Sequence, residues 1–297
     1  MSSNKNLAFI GLGTLGLPMA GHLAQAGYRV TAYNRSPAKA QTWLELYPEQ
    51  DLASSAAQAA AQADVVLLCV GQDEDVRTLL TGPQGVLESL QPGGLVIDHT
   101  TTSASLAAEM FQACNAKQVD FLDAPVSGGQ QGAEQGQLTI MAGGEPAAFE
   151  RGASVMRAYA RAVTHMGPVG SGQMTKMVNQ ICVAGLLQGL AEGLHFAEKA
   201  GLDAQQVIDV IRQGAAGSWQ MEHRHKTMLQ GDYEHGFAVD WMRKDLGICL
   251  KQASQLGASL PLTALVDQFY AEVQNLGGGR WDTSSLLKRL QAFSDTQ

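Results

Sequence analysis

Three glycines at positions 11, 13 and 16 constrain this chain more than any other feature. A short apolar run, Leu7-Ala8-Phe9-Ile10, enters the loop Gly11-Leu12-Gly13-Thr14-Leu15-Gly16. A helical pattern follows from about Leu17 to Gln25, Gly27 stops it, and a second strand-like run covers Tyr28–Tyr33. A strand–loop–helix–strand unit of this kind needs a tight turn at Gly11, close backbone approach at Gly13 and close helix–strand packing at Gly16. Its helix start offers unpaired N–H groups and the positive end of a dipole, which suits a pyrophosphate. GxGxxG alone is a weak signal; inside a whole βαβ unit it points to a dinucleotide. The competing reading is a glycine-rich turn that binds nothing.

Strand-like and helical runs keep alternating after that unit. Helices are expected at about Pro37–Tyr47, with Ser36 as cap and Pro37 at the first position, and at Ser54–Ala63. Asp64–Val70 (DVVLLCV) is a continuous apolar strand, as in the middle of a parallel sheet. Strands at Leu95–Asp98, Val119–Leu122, Leu138–Ala142 and Ala162–His165 are separated by helices at Ser103–Asn115 and Pro146–Tyr159. This alternation implies an α/β, doubly wound sheet with its ligand at the carboxyl ends of the strands.

The breaker cluster Gly167-Pro168-Val169-Gly170-Ser171-Gly172 is the expected domain boundary, dividing 1–170 from 171–297. No strand is expected beyond it. A long helix should run from Gln173 to about Ala200, followed by helices at about Ala204–Gln213, Trp241–Leu256, Pro261–Leu276 and Asp282–Phe293. On the long helix Gln188, Glu192, His195 and Lys199 form one polar stripe, and nearly everything else between Ile181 and Ala197 is apolar or glycine. A helix apolar nearly all round is buried on several sides. It is therefore expected at an interdomain or subunit interface, in a homodimer or homotetramer; the rival is a monomer whose later helices wrap it.

The 297 residues are enough for about two domains, and 45% hydrophobic with 16% charged residues is the balance of a folded, soluble chain. A net charge of -8 with no local Lys/Arg cluster argues against nucleic-acid or anionic-membrane partners. The polar lead Met1–Asn6 lacks the apolar core of a signal peptide, and Ile181–Leu194 is too short to span a membrane, so a cytoplasmic protein is expected. Cys69, Cys114, Cys182 and Cys249 lie far apart and read as reduced thiols. Neither they nor the seven histidines have ligand spacing, so no metal site is expected.

Lys176, Asn179 and Gln180 share a face in the first turns of the long helix, at i, i+3 and i+4. A cation near the positive end of a helix dipole is disfavoured. That suits a lysine which must give and take a proton, although a lysine snorkelling to water at a frayed start has the same spacing. Asp123-Ala124-Pro125-Val126-Ser127-Gly128-Gly129 follows a strand. There Gly128 and Gly129 expose backbone N–H groups and Ser127 adds a hydroxyl, a set suited to a carboxylate; an ordinary turn uses the same residues.

GLGTLG, DAPVSGG, the Lys-x-x-Asn-Gln of GSGQMTKMVNQ, and Phe237-x6-Lys244-Asp245 occur in this order in one chain. Together they resemble the β-hydroxyacid dehydrogenase family, which includes 3-hydroxyisobutyrate dehydrogenase, tartronate semialdehyde reductase and the glyoxylate/succinic semialdehyde reductases. The resemblance spans essentially the whole chain. It implies a Rossmann-type domain, an all-α second domain, and hydride transfer between NAD(P) and a short 3-hydroxy acid or its semialdehyde. It further implies Lys176 as general acid and base, Ser127, Gly128 and Gly129 on the substrate carboxylate, and Gln180, beside Asn179, orienting substrate. Thr101 and Lys244 would contact cofactor, Phe237 would lie against the nicotinamide, and Asp245 would support the site near Lys176 or Lys244. Cys69 and Val70 would line the adenine-ribose side. Without the resemblance, Phe237 reads as core and Lys244-Asp245 as a surface pair.

The second strand ends Tyr33-Asn34-Arg35-Ser36, with no acid to receive a ribose 2′-hydroxyl. Arg35, helped by Asn34 and Ser36, can instead pair with a 2′-phosphate, so NADP is preferred, with NAD possible. Trp219 and Met221 either shape the substrate pocket or pack in the core. His223 and His225 lie in a polar segment that would rim the substrate mouth, and His99, at a strand end, reads as structural before it reads as cofactor-facing. The alternatives to a semialdehyde reductase are a non-catalytic NADP(H) sensor, an imine reductase-like enzyme, against which Lys176 argues, and 6-phosphogluconate dehydrogenase, for which the chain is too short.

Overall fold

The computed structural model describes residues 5–294, so Met1–Asn4 of the polar lead lie outside the described residues. The chain forms two compact units, Met1–Lys176 and Met177–Gln297.

The first unit is built on one sheet. Its parallel strands β1 (Asn6–Ile10), β2 (Arg29–Tyr33), β3 (Asp51–Leu52), β4 (Val65–Leu68), β5 (Leu95–Asp98) and β6 (Asp120–Asp123) lie in the order β3-β2-β1-β4-β5-β6. Beyond β6 the sheet continues through β8 (Leu138–Gly144), antiparallel to both β6 and the short β7 (Val126–Ser127); β9 (Ala160–Gly167) pairs parallel to β8. Side chains alternate between the sheet's two faces, so each central strand feeds two cores. Leu7, Phe9, Val65, Leu67, Leu95 and Ile97 fill one, and Ala8, Ile10, Val66, Leu68, Val96 and Phe121 the other. The strand order reverses between β1 and β4, which puts the ligand crevice of such a sheet at Gly11 and Cys69. This is a Rossmann-type sheet.

The helices of this unit are α1 (Gly16–Gln25), α2 (Pro37–Leu46), α3 (Ala56–Ala60), α4 (Asp73–Thr81), α5 (Ala104–Asn115), α6 (Gly129–Glu134) and α7 (Pro146–Met156). Three differ from expectation. Helix α3 has only five residues of the Ala-rich segment, capped by Ser55. Helix α4 was not expected; its acid-rich first turn, Asp73-Glu74-Asp75, complements the helix dipole. Helix α6 makes part of what read as a turn into helix. Ser36 occupies the N-cap of α2 as expected, but its side chain makes no cap bond.

Helix α8 (Ser171–Lys199) runs through the division between the units. The second unit is helical: α9 (Ala204–Ile211), α10 (Trp219–Gln230), α11 (Val239–Leu256), α12 (Pro261–Asn275) and α13 (Leu286–Ser294) gather Leu187, Leu194, Val266, Tyr270 and Leu286 into one core. Helix α10 occupies what reads in sequence only as a polar segment. Ser218 starts it by accepting the Met221 N–H, and Gly231 ends it at φ 68°. Of the polar stripe on α8, Glu192 and Lys199 are exposed and His195 is half-buried, while Gln188 is buried and donates to Glu192 at 2.6 Å. Apolar residues of α8 are exposed as well, Val178 being 60% and Phe196 72% accessible. No helix among the described residues is long and apolar enough to cross a membrane.

Candidate active site

The crevice at the carboxyl ends of β1 and β4 is shaped by the absence of side chains. Gly11 adopts φ 99°, and a Cβ there would strike the Cys69 carbonyl oxygen; one on Gly16 would strike the Gly11 carbonyl oxygen. Around Gly13 the space is open for at least 4 Å. Helix α1 begins with no side-chain cap bond and no acid in its first turn; Pro18 has no N–H and the Leu17 and Met19 N–H groups donate to the Gly13 and Leu15 carbonyls, so what the helix start offers an anion is chiefly its positive end. Leu12, Thr14 and Leu15 complete the loop, with Thr14 exposed. These features fit the pyrophosphate of a dinucleotide. Cys69 and Val70 follow β4, and the Val70 N–H donates to Thr100 Oγ1 at 3.1 Å.

Beyond β2, Asn34 is occupied within the protein. Its Oδ1 accepts the Leu12 N–H at 2.9 Å and its Nδ2 donates to the Ser36 carbonyl at 3.1 Å. It therefore braces the glycine loop next to Arg35. The Arg35 guanidinium is exposed and lies 3.6 Å from Asp75 of α4.

The Lys176 side chain is buried, and its Nζ donates to the Val126 carbonyl at 2.8 Å. Val126 immediately precedes Ser127, Gly128 (φ 132°) and Gly129 (φ 61°), so the amine is tied to the turn expected to hold a carboxylate. The helix start that carries Lys176 rests on Asp123, which is fully buried. Its two carboxylate oxygens accept the N–H groups of Gly170 and Gln173, each at 2.8 Å. Burial pushes the Asp123 carboxyl up to about 6, opposed by these N–H donors.

His99 stands at the end of β5. Its Nδ1 lies 2.6 Å from the Ala124 carbonyl, which only accepts, so Nδ1 carries the proton and Nε2 accepts the Tyr159 hydroxyl at 2.8 Å. Burial brings this imidazole down to about 4, and the Ala124 bond only partly offsets that. His99 is a neutral structural residue behind the DAPVSGG turn.

In the second unit Gln180 is engaged at both ends. Its Nε2 donates to Asp245 Oδ2 at 2.6 Å and its Oε1 accepts Asn179 Nδ2 at 2.8 Å. Lys244 Nζ sits 3.1 Å from Asp245 Oδ1, so Asp245 joins Lys244 and Gln180. Phe237 is half-buried against the helical core; its N–H donates to Asp282 Oδ2, and its carbonyl accepts the Thr283 N–H, both at 2.9 Å. Trp219 is 44% exposed and stacked on His223, with ring centroids 4.3 Å apart. His225 is buried, and its Nδ1 donates to the Met221 carbonyl at 2.6 Å. Among the described residues no group of three or more His, Cys, Asp or Glu is placed to hold a metal ion.

A family profile described as the NAD binding domain of 6-phosphogluconate dehydrogenase matches residues 6–167. A second, described as NAD-binding of NADP-dependent 3-hydroxyisobutyrate dehydrogenase, matches residues 170–290. An uncharacterized oxidoreductase of Shewanella frigidimarina is 56% identical, covering 96% of this chain and 98% of its own length. A probable 3-hydroxyisobutyrate dehydrogenase-like protein of Arabidopsis thaliana, described as mitochondrial, is 40% identical over 99% of this chain and 87% of its own. The solved structure of Mycobacterium tuberculosis 3-hydroxyisobutyrate dehydrogenase with L-serine superposes with a TM-score of 0.87 at 31% identity, covering 97% of this chain and 99% of that one. The chain belongs to the β-hydroxyacid dehydrogenase family.

As a member of that family it is an NAD(P)-dependent oxidoreductase acting on CH–OH groups. Three further residues stand beside the family's motifs here and received no role from the sequence. Asp123 lies inside DAPVSGG, Gln173 stands one turn before Lys176, and Asp282 anchors the Phe237 backbone. None carried a local signal: Asp123 and Gln173 are 50 residues apart in sequence, and Phe237 and Asp282 are 45 apart.

Proposed function

We propose that this dehydrogenase uses NADP(H) to interconvert a short 3-hydroxy acid and its semialdehyde, with Lys176 as the proton donor and acceptor. The observation that carries the reading is the 2.8 Å bond from Lys176 Nζ to the Val126 carbonyl, which ties a buried amine to the turn Ser127-Gly128-Gly129. The Ser127 hydroxyl and the N–H groups of Gly128 and Gly129 hold the carboxylate, and the substrate's next carbons reach Lys176. In reduction Nζ gives its proton to the carbonyl oxygen; in oxidation the neutral amine takes the hydroxyl proton. The bound nicotinamide supplies or accepts the hydride. The small hydroxy acid L-serine in the mycobacterial relative supports a carboxylate-bearing substrate of this size.

The cofactor is held by Gly11, Leu12, Gly13, Thr14, Leu15 and Gly16, with Thr101, Cys69 and Val70 nearby in this unit. Within the helical unit, Lys244 and Phe237 are assigned to the cofactor, and Asn179, Gln180, Asp245 and Trp219 to the substrate. Arg35 pairs with a 2′-phosphate, Ser36 lying beside it, and the NADP-dependent description of the second profile supports that preference. The exposed apolar side of α8, including Val178, Leu186 and Phe196, is the face on which a homodimer or homotetramer forms.

The test is a screen of short 3-hydroxy acids and semialdehydes with both cofactors. The expected result is a higher kcat/KM with NADPH than with NADH. Lys176→Ala should keep NADPH binding and lose turnover by about 100- to 10,000-fold. Retained turnover would remove Lys176 from the mechanism, and NADPH binding without turnover of any aldehyde acid would leave a sensor.

A further inference from the structure

Gln173, within the first unit, is completely buried, and both ends of its side-chain amide are engaged. Its Nε2 donates to the Thr100 carbonyl at 2.8 Å, and its Oε1 accepts the Thr102 N–H at 3.0 Å. One side-chain amide thus pairs with the peptide groups on both sides of Thr101, as a neighbouring strand would. The Gln173 backbone N–H is itself held by Asp123 Oδ2 at 2.8 Å, while Asp123 Oδ1 takes the Gly170 N–H. Gly172 lets this helix start come so close: a Cβ there would meet the Met141 carbonyl oxygen at 2.5 Å. Thr100 is fixed in turn, because its Oγ1 accepts the Val70 N–H at the end of β4. Lys176 lies three residues further along the same helix, on the same face as Gln173.

We propose that Gln173, seated on Asp123, is the positioning residue that holds Lys176 in register with the Thr100–Thr102 loop. This rests on Lys176 being the proton donor. The amide is required because it both donates and accepts across one loop. Met has nearly the same length but leaves the Thr100 carbonyl and Thr102 N–H buried without partners, so the loop and the helix start part company. A displacement of about 1 Å at a reacting group is enough to cost about 100-fold in rate. A carboxylic acid can copy the amide, with its O–H donating to the Thr100 carbonyl and its C=O accepting from Thr102; a carboxylate cannot. The charged groups around position 173 are Asp123, against its backbone, Asp98 and Asp73, which accept the Thr100 and Ser103 N–H groups of the facing loop, and Lys176, one turn on.

The experiment compares full-length Gln173→Met and Gln173→Glu with the unchanged protein and with Lys176→Ala. It measures kcat and KM for the best semialdehyde from about pH 5 to 9, NADPH affinity by fluorescence titration, and urea unfolding. Gln173→Met should lower kcat by about 10- to 100-fold at every pH while the aldehyde KM changes little. Gln173→Glu should approach the unchanged kcat at the acid end and lose it as pH rises, a basic limb that Gln173→Met lacks. If Gln173→Met does not fold, the pH profile of Gln173→Glu decides alone. An unchanged kcat in Gln173→Met, or a Gln173→Glu profile parallel to the original, overturns the proposal when Lys176→Ala is inactive. If Lys176→Ala retains turnover, it is the assignment of Lys176 that fails.

Discussion

Helices α1 and α8 start in the same way and end up with opposite occupants. Each is let in close by a glycine whose Cβ would strike a backbone carbonyl: Gly16 against Gly11 for α1, Gly172 against Asp123 and Met141 for α8. Each presents the positive end of a helix dipole. At α8 the protein fills that end itself, with the buried Asp123 carboxylate. At α1 there is no side-chain cap and no acid in the first turn, and the space around Gly13 is open. A helix start filled from within fixes the chain's own geometry. One left empty beside open space is where an external anion belongs.

The sharpest way to break this contrast is to give α1 an acid of its own. Thr14 is exposed, so Thr14→Asp puts a carboxylate at the helix start without disturbing packing. It should lower kcat/KM for NADPH by about 100-fold, equivalent to about 2.7 kcal/mol. Stability should stay within about 1 kcal/mol, because a carboxylate near a helix N-terminus is itself favourable. Thr14→Asn, the uncharged control, should retain most of the activity. Equal NADPH kinetics in Thr14→Asp and Thr14→Asn would show that the open end of α1 is not the phosphate seat.

The filled end makes a prediction about acid. Asp123 moves from 3.8 up to about 6 in the fold, because burial disfavours its charge. The native state therefore takes up a proton that the unfolded chain does not, and this contribution to stability is full below about 3.8 and lost as pH rises through 6. His99 moves the other way, from 6.5 down to about 4. The unfolded chain then takes up the proton first, and stability is lost as pH falls from 6.5 toward 4. Each is worth about 3 kcal/mol over its window, and between pH 4 and 6 they oppose one another. Asp123→Asn removes one side of that balance. Between pH 6 and 4.5 its unfolding free energy should fall by about 2 kcal/mol more than that of the unchanged protein. Urea unfolding at several pH values measures this difference; parallel curves would mean that Asp123 is not held at the raised value.

What could be read in advance follows the same division. The open site is local: Gly11, Gly13 and Gly16 fall within one βαβ unit, and β5 ends at Asp98 as its apolar run suggested. The filled site is not local. Asp123 and Gln173 are 50 residues apart, and a carboxylate that satisfies a distant helix start leaves no periodicity to detect. The same applies to Gln180: in sequence it is a polar group on the lysine's helix, and only the fold reveals Asp245, 65 residues on, as its partner. Helices α4 and α10 escaped notice because their residues are largely polar or charged, as in WQMEHRHKTMLQ, and an apolar stripe was the signal sought. The Ser218 cap of α10 and the acids in the first turns of both helices held the information that the hydrophobic pattern lacked.

The smallest predicted effect separates two serines that look alike in sequence. Ser36 and Ser103 both stand at N-cap positions in extended conformation, before α2 and α5. Ser103 works as a cap: its Oγ accepts the Leu106 N–H at 3.1 Å and donates to Asp73. Ser36 makes no cap bond, and Pro37 removes one N–H that would otherwise need a partner. Ser103→Ala should therefore cost about 1 kcal/mol in urea unfolding, and Ser36→Ala no more than about 0.3 kcal/mol. If Ser36 is kept free for the 2′-phosphate beside Arg35, Ser36→Ala should instead weaken NADPH about two- to five-fold and leave NADH unchanged, the scale of one exposed hydrogen bond. A stability loss at Ser36 equal to that at Ser103 would place α2 with the internally filled helix starts.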